Sequence, residues 1–342
     1  DVLDADTVVR LQAGEAARRT VLGLPGARDH LAVAAELCEP GSSAAHDVLL
    51  AEFLCRWTPA DRADRAKIAD ELYRTSGGDV HRRATALHLQ RVCALESADV
   101  RMARRISTEV SRVIATHPDT DLATMQLWWR VMLALLRGNF EQSSELTTEY
   151  AESVESLGDQ AKLLSEASIA TSESIALWLR GRLHEMLPRF DDLTESVDDD
   201  FALVIALGSA EAGDVDRALA VATEITADAA SWSGPRVVVR VPLLVDALYM
   251  AWRTGEDLDR TRRIAARIAP FVEDWNDGLI VQWPGVVCVG PASLYRGSLG
   301  AIVGNDSAAD DLEAAAHLAD DTGARPFAER ARARLAHLRE SH

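Results

Sequence analysis

Apolar side chains recur along most of this chain at intervals of three and four, the spacing that gathers them on one stripe of an α-helix. Arg62–Arg74 (RADRAKIADELYR) brings Ile68, Leu72 and Tyr73 together, and Val100–Ala115 (VRMARRISTEVSRVIA) follows the same pattern. Asp310–Glu340 predicts helix broken near Gly323 and Pro326. Two stretches are thicker in β-branched residues or tryptophan, PRVVVRVPLLV (Pro235–Val245) and DGLIVQWPGVVCVGP (Asp277–Pro291). Pro242, Pro284 and Pro291 disfavour central-strand pairing, and long helical patterns flank both stretches. Both are therefore expected to be buried helices with proline-altered starts or kinks.

A recurring punctuation organises the helices. An apolar helix ends at a glycine, one or two polar residues follow, and another helix begins. The pattern stands at Gly138 (LLRGNFEQSSEL), Gly181 (WLRGRLHEMLPRF), Gly213 (GSAEAGDVDRALAVATEI), Gly255 (WRTGEDLDRTRRIAARI) and Gly304 (AIVGNDSAADDLEAAAHLA), with a weaker copy around Gly78. Glycine suits such a turn because it tolerates the left-handed conformation and lets two backbones approach. The small residue five positions on (Ser143, Ala218, Ala309) suits a close helix crossing. Repeats at intervals of roughly 30 to 50 residues are those of helix-turn-helix arrays. No linker rich in Pro, Gly or Ser divides them, so a single all-α solenoid of antiparallel helix pairs is expected.

Composition narrows the function classes. The net charge of −18 and pI near 4.9 repel a phosphate backbone, so direct nucleic-acid binding is not expected. The four cysteines (Cys38, Cys55, Cys93, Cys288) are scattered and read as small buried apolar residues of a reducing compartment. Without a signal peptide or an apolar run long enough for a membrane, the expected location is the cytoplasm. The chain opens on Asp1 and is expected to be a piece of something larger.

Candidate chemistry is sparse. Neither lysine, Lys67 or Lys162, follows a glycine, so no phosphate-cradling P-loop is present. A G-x-S-x-G nucleophile elbow and an H-E-x-x-H zinc motif are absent, and His184-Glu185 lacks a second histidine. EDWNDGLIVQWPG (Glu273–Gly285) has Asp274, Asn276 and Asp277 before Gly278, but Gly285 stands where a calcium loop needs glutamate. No metal or cofactor is expected. VDDDF (Val197–Phe201) reads as a loop and helix cap.

The tryptophans divide. Trp128, Trp178 and Trp252 precede a repeat glycine and read as core, with Trp128 and Phe140 expected to close one helix pair on the next. Trp129 must point about 100° away from Trp128, which makes it a candidate binding residue. Trp232, Trp275 and Trp283 fall in or near loops, where an amphipathic ring suits a binding surface. Arg236 and Arg240, four apart, are expected to share a helix face and to grip an acidic ligand, or else to pair with neighbouring carboxylates.

The segments QLWWRVMLALLRGNFEQSSELTTEYAESVESLGD, LWLRGRLHEML, IALGSAEAGDVDRALAVATEI and VCVGPASLYRGSLGAIVGNDSAADDLEAAAHLADDTGARPFAERARARLAHL follow one another in an order that resembles one bacterial group. It is the C-terminal tetratricopeptide-like region of STAND-type ATPase regulators: LuxR-type large regulators, SARP-type activators with a BTAD module, and proteins joining a class III nucleotide cyclase to the same ATPase and repeats. The likeness runs from about Asp47 to Leu338, and PADRADRAKIADELYRTSGGDVHRRATALHLQR resembles the repeat that follows the ATPase there. It implies a right-handed superhelix, with residues 47–342 as the repeat domain and residues 1–46 as an N-terminal helical segment continuing from an upstream module.

The resemblance further implies a non-enzymatic sensor arm that receives a small-molecule effector or protein partner and controls a linked ATPase, with oligomerisation through that module. ATPase, winged-helix, DNA-binding and cyclase motifs are lacking here, so those activities would belong to other modules. The standard peptide-clamp residues do not carry over. Two alternatives stand beside this expectation. One is a protein–protein scaffold, the other an enzyme using a pocket around Trp275, Trp283 and Arg236.

Overall fold

The computed structural model describes residues 4–117, 119–154, 159–191, 199–232, 234–282 and 285–340. The chain is all-α and 80% helical, with consecutive helices packed in pairs as in a helical repeat. Among the described residues there are 17 α-helices. They are α1 Ala5–Leu22, α2 Ala27–Leu37, α3 Ala45–Cys55, α4 Arg62–Thr75, α5 Val80–Glu96, α6 Val100–Thr116, α7 Thr120–Leu136, α8 Phe140–Val154 and α9 Asp159–Leu179. Then come α10 Leu187–Asp191, α11 Asp199–Ala212, α12 Val215–Ile225, α13 Val237–Thr254, α14 Leu258–Glu273, α15 Ala292–Val303, α16 Ala308–Thr322 and α17 Arg325–Glu340. Short 3-10 turns cover Leu183–Met186, Thr226–Ser231 and Gly234–Arg236.

The chain forms two compact units, one of residues 1–123 with 232–238, the other of 124–231 with 239–342. In the first unit α1 and α2 pack together, α3 lies on α1, and α4, α5 and α6 follow as neighbours. Its first core is built from small side chains, Val9, Ala13, Ala16, Ala34, Ala44 and Ala51, so residues on both sides of position 46 share one cluster. Farther along, Arg65 is buried against Glu96 at 2.9 Å and lies over the rings of Trp57 and Phe53. That geometry matters, because a buried charge is tolerated only when it is paired and hydrogen-bonded. In the second unit the most extensive pairings are α11 with α12, α15 with α16, and α16 with α17.

The five repeat glycines all end helices in the left-handed region, with φ between 66° and 83°. At Gly138 the turn is a Schellman closure. Asn139 N–H donates to Ala134 C=O (2.9 Å) and Gly138 N–H to Leu135 C=O (3.0 Å), satisfying carbonyls the helix leaves open. An aspartate often completes the punctuation. Asp214 caps α12 by accepting from Arg217 N–H, and Asp257 caps α14 from Arg260 N–H. In the weaker copy the left-handed residue is Gly77 instead of Gly78, and Asp79 caps α5.

The small-residue prediction holds at Ser143 and Ala218, which are buried, and shifts by one after Gly304. Ala308, not the half-buried Ala309, makes the close contact. A Cβ on Gly300 would stand 3.2 Å from the Ala308 methyl, and one on Gly297 only 2.8 Å from Leu312 Cγ.

One sequence expectation is corrected. Pro235–Val245 is helical from Val237 onward with Pro242 inside α13, but Asp277–Pro291 is not a helix. It holds an antiparallel hairpin, β1 Leu279–Val281 with β2 Cys288–Pro291, pairing Leu279 with Pro291, Ile280 with Gly290 and Val281 with Cys288. Gly278, Gly285 and Gly290 all have positive φ, which no α-helix contains, and the β-branched residues between them favour strand. Every residue of both strands is buried. The alternation that would have marked a strand is therefore missing from the sequence.

Candidate functional site

Within the second unit, the chain leaving α7 turns at Gly138 and enters α8, and α9 packs beside α8. Two adjoining hollows open here, about 660 and 430 Å³, sharing Phe140, Ser144 and Arg180. From α8 the cleft takes Ser143, Ser144, Thr147 and Thr148, and from α9 Ser172, Glu173, Ala176 and Leu177. Glu185 and Met186 reach it from the 3-10 turn and Arg189 from α10. Ser143 and Ser172 are only 3% and 6% exposed, so hydroxyl groups form part of its floor.

The local electrostatics follow from the partners. Arg180 lies over the Phe140 ring with 5.7 Å to the centroid, a cation–π geometry. Glu185 is gripped by Arg182 at 2.5 and 2.9 Å, and these hydrogen bonds hold its carboxyl below the usual range. Behind the 3-10 turn Glu211 accepts from the backbone N–H of His184 at 3.1 Å, with His184 Nδ1 3.5 Å away. Burial raises the Glu211 carboxyl, and the His184 and Leu183 hydrogen bonds offset this only in part.

The sequence-derived candidates do not gather in this cleft. Trp129 on α7 is 2% exposed and belongs to the core, while Trp128 is half-buried and meets Tyr150 edge-on at 5.7 Å. The two rings thus divide as their angular separation requires, with the core role falling on Trp129. Trp275 is buried and its carbonyl accepts from Arg296 at 2.8 Å. Trp232 is half-buried beyond the Thr226–Ser231 turn. Arg240 is buried on α13, whereas Arg236 precedes that helix in a 3-10 turn, so the two do not share a helix face. Trp283 and the Arg236 side chain lie outside the described residues, as does most of the acidic run at Val197–Phe201.

A second constellation went unread in the sequence. Asp246 on α13 is fully buried and accepts from Trp178 Nε1 (2.7 Å), Arg330 Nη1 (2.5 Å) and Arg334 Nη2 (2.5 Å). Arg334 also donates to Ser298 Oγ at 2.6 Å and lies over Tyr249, and Arg330 lies over Trp178. Burial pushes the Asp246 carboxyl up, but the guanidiniums of Arg330 and Arg334 and the hydrogen bonds outweigh it and leave it lowered. One carboxylate thus ties α9, α13 and α17 together. Its signal was present as a lone acid in the apolar run VVVRVPLLVDALYM, with arginines four apart in α17.

Among the described residues no group of three or more His, Cys, Asp or Glu side chains is placed to hold a metal ion. No helix among them is long and apolar enough to cross a membrane. No family model matches the chain, and no curated protein is significantly similar to it.

Proposed function

We propose that this chain is a non-enzymatic sensor and protein-interaction domain of a bacterial transcriptional regulator. In this reading it works in the cytoplasm, and the α8–α9 cleft receives an effector that controls a linked ATPase or DNA-binding module. The observation that carries the reading is the state of the cleft's hydroxyls. Thr147, Thr148 and Ser172 each spend their proton on a carbonyl of their own helix, which favours holding a ligand over nucleophilic attack, where a base must take that proton. The Gly-turn helix pairs and the sequence resemblance to STAND-type regulators support the same assignment.

Thermal unfolding of the purified chain against a metabolite library tests it. An effector at 100 times its dissociation constant adds about 2.7 kcal/mol of stability, and Phe140→Ala should remove that gain. Turnover of a nucleotide or an ester by the chain alone would end the reading.

A protein–protein scaffold has one observation in its favour. Leu11, Leu22, Leu24, Val33 and Leu37 of the first helix pair and its turn are 40–58% exposed, apolar surface that a protein partner would cover. A pure scaffold would show no small-molecule stabilisation in the same screen.

A further inference from the structure

Exposed apolar surface is concentrated in one place. Among the described residues eight large apolar side chains are exposed, and six of them, Leu11, Val21, Leu22, Leu24, Val33 and Leu37, stand on α1, α2 and the turn between them. On α1 the exposed Arg10, Leu11, Gly14, Arg18 and Val21 form one stripe, opposite the buried Val9, Ala13, Ala16 and Thr20. On α2 the exposed Asp29, Val33, Glu36 and Leu37 form another, and only Ala34 of that helix is fully buried. Nothing within the chain calls for Gly14. It sits mid-helix, where glycine weakens the helix, and a Cβ there would meet nothing within 4 Å.

The charges on the two stripes are opposite in sign and similar in spacing. Helix α1 presents Arg10 and Arg18, about 12 Å apart along its axis, and α2 presents Asp29 and Glu36, about 10.5 Å apart. Arg10 reaches Ser43 and Asp47, and Arg18 is held by Glu15. These are exposed contacts worth little by themselves, and a guanidinium with five donors can take a further carboxylate. Asp29 and Glu36 form no ion pair among the described residues, and Arg28 lies about 100° around the helix from Asp29. The first unit is also near charge balance, with 19 acidic against 17 basic side chains, whereas the second holds 35 against 19. Two copies of a chain with net charge −18 therefore meet at least electrostatic cost through the first unit.

Helices α1 and α2 pack together across a four-residue turn, the geometry of an antiparallel pair. A two-fold axis perpendicular to such a pair reverses both helices. It lays α2 of one copy parallel to α1 of the other, and the contact then occurs twice. With Arg10 opposite the partner's Asp29, the equal rise of the two helices sets the partner's Val33 over Gly14 and the partner's Glu36 and Leu37 beside Arg18. We propose that two copies of this chain dimerise through the α1–α2 face. Val33 of each copy fills the space over Gly14 of the other, and Arg10 and Arg18 pair with Asp29 and Glu36. The helices, 18 and 11 residues long, offer strips about 27 and 16 Å long and about 10 Å wide. That is about 430 Å² on each copy and about 860 Å² in all, the size of a weak, reversible interface. The inference is independent of the α8–α9 cleft.

Sedimentation of the full chain over rising concentration tests this, with a monomer–dimer equilibrium as the expected result. Gly14→Gln fills the space and should return the chain to monomer. Its unfolding temperature should hold or rise, because glutamine is the better helix former, so a loss of dimer cannot be a loss of fold. Arg18→Glu and Glu36→Arg should each weaken the dimer about tenfold, and the two together should restore it. A chain that stays monomeric at every concentration overturns the second copy as occupant and leaves the face to a different protein. A dimer untouched by Gly14→Gln overturns the placement, and a double reversal that fails to restore affinity overturns the charge pairing.

Discussion

Two buried carboxylates show how single residues set the pH response, and they do so with opposite signs. Asp246 is held below its ordinary range because Arg330 and Arg334 outweigh the cost of burial. Its contribution to stability is complete above the unfolded pKa of about 3.9 and is lost as pH falls through the lowered folded value. Asp246→Asn should remove that part of the acid limb. It should also leave two arginines in the interior without their carboxylate, a loss of about 3–5 kcal/mol by the usual cost of breaking a buried pair. Urea unfolding at pH 7 reads the second effect as a lower midpoint, and an unchanged midpoint would contradict the assignment. Glu211 is raised by burial, so its contribution is complete below about pH 4 and is lost as pH rises through the folded value. Glu211→Gln should therefore flatten the stability profile on the alkaline side of the ordinary carboxyl range, where the raised carboxyl loses its contribution.

At the scale of the element, glycines separate turns from contacts. Gly213 has φ of +83° with open space around the position of a Cβ. Gly213→Ala thus costs only the left-handed backbone, about 1–2 kcal/mol. Gly290 has φ of +94°, and a Cβ there would overlap the Phe327 ring of α17. Gly290→Ala adds that overlap to the backbone strain, and overpacking alone costs about 1–3 kcal/mol. Thermal unfolding should rank Gly290→Ala clearly below Gly213→Ala, and the reverse order would mean that the hairpin does not rest on α17 as described. The helix pairs could be read in the sequence because their period is 3.6 and their turns end in glycine. The hairpin could not, because its buried faces leave no alternation to detect. Asp214 and Asp257 add a capping acid after two of the five glycine turns, a local signal that the glycines alone do not carry.

At the scale of the whole molecule, the acidic excess is unevenly placed. With 35 acidic against 19 basic side chains in one unit and near balance in the other, self-repulsion falls mainly on residues 124–231 and 239–342. Raising ionic strength from 0.01 to 0.15 M shortens the screening length from about 30 to 8 Å. Hydrogen exchange should then slow more in that unit than in residues 1–123, and equal slowing would show that the repulsion is not local. The sequence by itself determined the helical class and the turn glycines, because each depends on neighbours within a few positions. It also determined the charge, which is a sum. Only the tertiary structure decided which tryptophan enters the core, that Asp246 meets Arg330 and Arg334 from more than 80 positions away, and that hydroxyls of α8 and α9 face one cleft. Those depend on which helix faces meet, and no local period encodes that.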